Sequence, residues 1–124
     1  MSAKLANITI DCGDSKALAS FYYKLLGGEL KEAWGCPYLA SANSDAPGLL
    51  FVQEDDYVAP VWPEEEGKQQ KSLHLDFVTD EYEESIAAAL ELGAVKASLQ
   101  VAPDHFTVLL DPAGHPFCMC RMSE

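Results

Sequence analysis

Basic residues are scarce in this 124-residue chain: eight Lys and Arg stand against twenty Asp and Glu, for a formal net charge of −12. A surface that grips phosphates clusters its Lys and Arg, and these eight are scattered, so nucleic acid and anionic membrane are not expected partners. Long hydrophobic runs are missing too. No stretch approaches the roughly 20 apolar residues of a membrane span. No apolar signal region follows Met1-Ser2-Ala3-Lys4, so the expectation is a cytoplasmic protein. The four cysteines, Cys12, Cys36, Cys118 and Cys120, then read as reduced thiols rather than a disulfide framework. Cys118 and Cys120 are two apart on one strand, which is poor geometry for a mutual disulfide.

What is present is enough for a core. The chain is 48% hydrophobic, and its length fits one domain. Its acidity favours solubility, and at long range it favours cationic ligands.

The strongest pattern is an internal repeat. Leu26-Gly27 and Leu92-Gly93 each close an apolar-striped segment, and Gly48 and Gly114 each open an apolar run; both pairs are 66 residues apart. A fixed period means one supersecondary unit used twice, because a single unit cannot bury its apolar face alone. Leu5 to Cys12 alternates as a half-buried strand, with Asn7, Thr9 and Asp11 on its polar face. Asp14 or Ser15 caps a helix carrying Leu18, Phe21, Tyr22, Leu25 and Leu26 on one stripe, and Gly27-Gly28 stops it. Strands follow near 29–34, 36–42 and 49–53.

Residues 53–71 hold Glu54-Asp55-Asp56, Glu64-Glu65-Glu66, Pro60 and Pro63, a composition that disfavours packed structure and reads as an acidic linker. Tyr57 and Trp62 within it are expected to pack on the rim rather than fold over a pocket. Ser72 to Val78 then alternates, with His74 and Asp76 on one face. Asp80 and Glu83 read as a capping box for a helix carrying Tyr82, Ile86, Ala89 and Leu90, which Gly93 ends. Strands near 95–100, 105–110 and 116–121 complete the second copy.

The expected fold is therefore α+β: two βαβββ modules, about 5–53 and 72–122, joined by the linker into a single domain over residues 1–124. They are expected to pair into a curved, cup-shaped mixed sheet with the helices outside. The sheet faces away from the helices would line a concavity holding Asn7, Thr9, Asp11, His74 and Asp76, and a concave surface with a few convergent polar groups is the default ligand site. Trp34, Tyr38, Trp62 and Phe106 are candidate aromatic walls, or core or dimer packing.

Five segments, in order and at repeat spacing, carry a family resemblance. They are Ile10-Asp11-Cys12, the helix with Ala19-Ser20-Phe21-Tyr22 and Leu25-Leu26-Gly27, Leu73-His74-Leu75-Asp76, Leu92-Gly93-Ala94, and Val108-Leu109-Leu110-Asp111-Pro112-Ala113-Gly114-His115-Pro116-Phe117-Cys118. The chain resembles the vicinal oxygen chelate superfamily of glyoxalase I, bleomycin-resistance proteins and extradiol dioxygenases, and more closely the small bacterial glyoxalase-like domain proteins. The resemblance implies a homodimer. It also implies four metal-ligand positions: Asn7 and His74 on the first strands, and Cys118 with Val52 or Gln53 on the last ones. Val52 cannot ligate, Asn7 is a weak neutral donor, and the two glutamates usual on the last strands are missing. A catalytic divalent ion wants about three protein ligands. No metal or other cofactor is therefore expected; a divalent metal, if held, would use His74, Cys118 and Asn7.

His74 is the candidate catalytic residue, as a general base near neutral pH or simply as a hydrogen-bonded histidine of a polar cup. Cys118 and Cys120 could form a soft-metal or thiolate site with His74, though buried free cysteines are common. Asp111-Pro112-Ala113-Gly114 reads as a structural turn. The functional expectation is a metal-free small-molecule binding protein of the bleomycin-resistance kind, with Asn7, Thr9, Asp11, Trp34, Tyr38, Asp76, Phe106 and Cys118 as ligand contacts. The alternative is a metal-dependent lyase, isomerase or dioxygenase. A pure interaction module built on the acidic linker comes last.

Overall fold

The computed structural model describes residues 3–43 and 45–122. The chain divides into two compact units, residues 1–58 and 59–124. Each contains one βαβββ module with the same strand order.

In the first unit, β1 (Asn7–Cys12) leads to α1 (Ser15–Leu26), then β2 (Glu29–Ala33), β3 (Cys36–Ala40) and β4 (Gly48–Gln53). These form a mixed sheet ordered β1-β4-β3-β2, with β1 and β4 parallel and the other pairs antiparallel. Asp14 caps α1, its carboxylate accepting from the Ala17 N–H at 3.1 Å. Gly27 ends the helix at φ 77°, its N–H donating to Tyr23 O at 2.8 Å. Leu18, Ala19, Phe21 and Tyr22 are the buried face, and Tyr22 stacks on the fully buried Phe51 of β4 at 5.9 Å between centroids. The other side of β4, with Leu50 and Val52, therefore faces away from the helix.

The second unit repeats the plan with β5 (Leu75–Thr79), α2 (Tyr82–Glu91), β6 (Val95–Lys96), β7 (Phe106–Leu110) and β8 (Pro116–Arg121), ordered β5-β8-β7-β6. Tyr82 of α2 shares a 2.7 Å hydrogen bond with Thr107 of β7. Thr107, Leu109, Phe117 and Met119 thus face the helix, while Phe106, Val108, Cys118 and Cys120 face away. The turn before β8 is structural, as expected: buried Asp111 accepts from the Ala113 and His115 N–H groups at 2.9 and 3.0 Å.

Several boundaries differ from the sequence reading, each for a local reason. No capping box forms at α2. The N-cap is Glu81, without a side-chain bond, and the Glu81 N–H donates to Thr79 Oγ1 at 2.9 Å. The strand expected over 95–100 stops at Lys96. Beyond it the Gln100 amide stands in for a strand, pairing with both the N–H and the C=O of Val108 at 2.9 Å. Strands β1 and β5 begin at Asn7 and Leu75 rather than at Leu5 and Ser72. Residues 34 and 35 form the turn between β2 and β3, with φ 52° at Trp34 and 75° at Gly35. Two residues of positive φ make the tight connection that a twisted hairpin favours.

Candidate functional site

Module two carries a cavity of about 390 Å³ on the sheet face away from α2. His74, just before β5, and Asp76 within it supply the polar end; Phe106 and Val108 come from β7, and Pro116, Cys118 and Cys120 from β8. Strand alternation explains the set, since residues two apart project to one face. Trp62, Lys71 and Val101, from irregular segments, complete the lining.

Trp62 overturns the rim expectation. It packs against the cluster of Ala97, Val108 and Cys118, alongside Phe106 and Cys120. Its segment is held by the Val61 N–H donating to Gln69 O at 2.8 Å and the Lys68 N–H donating to Glu65 O at 3.2 Å. Lys71 Nζ lies 4.4 Å from the Trp62 ring centroid and 3.4 Å from Glu64. The Trp62 indole N–H is buried without a hydrogen-bond partner among the described residues. Tyr57, by contrast, stays with the first unit, its ring 3.7 Å from where a Cβ on Gly13 would lie.

The polar end is compact. His74 Nε2 is 3.4 Å from Asp76 Oδ1. One donor atom each from His74, Asp76 and Cys118 lies within 4.8 Å of the others. Burial first, and then the adjacent Asp76 carboxylate to which the thiol donates, push the Cys118 thiol up from 9.0 to about 12. Burial and Asp76 raise Cys120 as well. Both thiols are thus protonated near neutral pH and are poor nucleophiles there.

The expected site residues fall into two groups. His74, Asp76, Phe106 and Cys118 line one cavity in module two. Asn7, Thr9, Asp11, Trp34 and Tyr38 belong to module one. Asn7 donates to Thr9 Oγ1 at 3.2 Å, and Asp11 lies two residues further along β1. Tyr38 pairs with Leu50 in the ladder and lies against Gly48, where any side chain would meet its ring. Trp34, at the hairpin tip, is 81% exposed and does not line the cavity. Register also revises one correspondence. Asp11 pairs with Val52 as Asp76 pairs with Cys118, so Thr9, not Asn7, is the counterpart of His74.

Twinned βαβββ modules, one bearing a ligand-sized hollow on the open face of its sheet, define the glyoxalase, bleomycin-resistance and dioxygenase class of fold. The chain belongs to the glyoxalase-like domain family, whose model matches residues 7–120. No curated protein sequence matches the chain. Among solved structures it is similar to a glyoxalase/bleomycin resistance protein/dioxygenase family enzyme from Burkholderia phytofirmans PsJN, at TM-score 0.73 and 16% identity, covering 98% of this chain and 100% of that one. It is similar to TnmS3, an antibiotic binding protein from Streptomyces sp. CB03234, at 0.64 and 17%, covering 98% of each chain. It is also similar to the fosfomycin resistance protein FosX of Listeria monocytogenes, at 0.68 and 15%, covering 99% and 96%.

Members of this family often bind a divalent metal. The residues present here do not fit a hard catalytic ion. The thiol of Cys118 stands on the last strand of module two, Val52 offers no donor in module one, and the three-donor cluster of module two contains a single carboxylate. Hard divalent ions prefer oxygen ligands, and thiolate suits softer ones.

Proposed function

We propose that this chain is a small-molecule binding protein of the bleomycin-resistance kind, using the module-two cavity without a catalytic hard metal. The observation that carries this reading is a hollow of about 390 Å³ with aromatic and aliphatic walls and a few polar groups, His74, Asp76 and Cys118 together and Lys71 beside Trp62. That volume lies within the range of small-molecule sites, in which a few polar groups orient an otherwise apolar contact. The similar antibiotic binding protein supports the same reading. His74, Asp76, Phe106 and Cys118 are the proposed contacts, and the protein is proposed to act as a cytoplasmic homodimer.

The test is a thermal-shift and calorimetric screen of aromatic antibiotics and related compounds, with and without divalent ions, alongside elemental analysis. Stabilisation by an organic compound alone supports the binder. Stabilisation that needs metal, or stoichiometric metal in the purified protein, supports the second reading, a metal-dependent or His74-assisted lyase, isomerase or dioxygenase. The 3.4 Å approach of His74 to Asp76 favours that alternative, because a carboxylate that orients an imidazole prepares it as a general base.

A further inference from the structure

We propose that the cavity selects aromatic compounds bearing an anionic oxygen group, a carboxylate or a phenolate, and that Lys71 is the residue that reads that charge. This rests on the binding reading above and names the class of ligand.

One of only eight basic residues in a chain of net charge −12 lines the hollow. Lys71 is largely covered, with its side chain 20% exposed. Its ammonium rests on the Trp62 ring, and its carboxylate partner Glu64 is 45% exposed, so that ion pair is weak and Glu64 can return to water when displaced. The same indole carries a buried N–H with no partner among the described residues. The one carboxylate in the lining, Asp76, is already engaged by His74 at 3.4 Å and by the Cys118 thiol. The lining thus offers one ammonium whose present partner is partly in water, and a carboxylate that already has two neighbours. An anionic oxygen entering beside Lys71 gains a charge-assisted hydrogen bond, while a cationic ligand meets the ammonium at short range. The acidity of the chain as a whole acts through water and is screened within about 10 Å at ordinary ionic strength. Inside the hollow the Lys71 ammonium, once Glu64 turns out to solvent, outweighs that screened field, which reverses the preference for cations suggested by net charge.

The test uses the full chain and three probes of one shape, 2-naphthoate, 2-naphthalenemethanol and 2-naphthylmethylammonium, titrated calorimetrically. The expected result is naphthoate about tenfold or more tighter than the ammonium probe. Lys71→Met should remove that preference, with circular dichroism and the melting temperature reporting that the variant is folded. Lys71→Arg should retain it. Equal binding of the charged probes, or a preference that survives Lys71→Met, would overturn the assignment while the binding reading stands. If none of the three binds, the assignment falls, and the binding reading stands or falls on its own screen.

Discussion

The two modules share a framework and differ in what they present. Phe51 and Phe117 occupy the same repeat position, both fully buried on the helix side of their sheets. On the opposite faces the correspondence breaks: Val52 stands where Cys118 does, and Thr9 where His74 does. Module one has a side-chain cap on its helix and a five-residue β2; module two has neither, and its β6 is two residues long. The helix side of the repeat is alike in the two modules, and the opposite side is where their chemistry differs. The 59–71 segment reinforces the difference, because its Trp62 packs on module two.

Four measurements sharpen or break this comparison. The largest effect belongs to the shared framework: Phe51→Ala and Phe117→Ala should each cost about 3–5 kcal/mol in urea denaturation. A loss under about 1 kcal/mol at either position would deny the equivalence.

Next comes the thiol that replaces Val52. The thiolate fraction of Cys118 should lie on the order of a thousandfold below that of a thiol titrating at 9.0. Its alkylation, followed by mass spectrometry, should still be accelerating at pH 11, and a plateau by pH 9 would contradict the account. The stability consequence has a definite sign. Between about 9, the unfolded value, and about 12 the folded chain holds the extra proton, so stability is intact below pH 9 and falls as pH climbs toward 12. Cys118→Val, which copies module one, should reduce that alkaline fall.

Third, His74→Ala should weaken the tightest ligand about tenfold or more, and Thr9→Ala less than about threefold, both by calorimetry. Comparable losses would make the site symmetric. Smallest is the capping contrast: Asp14→Ala should cost about 1 kcal/mol and Glu81→Ala less than about 0.5 kcal/mol in thermal unfolding.

Periodicity made the framework readable. The 66-residue offset, the stripe of Leu18, Phe21 and Tyr22, and the glycine at 27 are all local signals, and each marks the element it should. Alternation also put His74 and Asp76 on one side of a strand, and the family resemblance added Cys118 to them. What stayed hidden depends on competition between side chains for backbone. At the start of α2 the Glu81 N–H goes to the Thr79 hydroxyl and the cap falls on Glu81 rather than Asp80, and Gln100 replaces the end of a strand with its amide. Lys71 escaped, and Trp62 stood both as a candidate wall and as a rim residue, because a charged, proline-containing segment has no period to mark a tryptophan that packs against a cluster of Ala97, Val108 and Cys118. An aromatic residue in an acidic linker was the available signal, and exposed loop aromatics more often dock on a rim.

The Trp62–Lys71 stack also gives the molecule an optical readout. The chain has two indoles, and the other, Trp34, is 81% exposed on a hairpin tip in the first unit. A guest that parts the ammonium from Trp62 will alter the emission of that ring alone, against a steady background from Trp34, so the protein can report its own occupancy without a label.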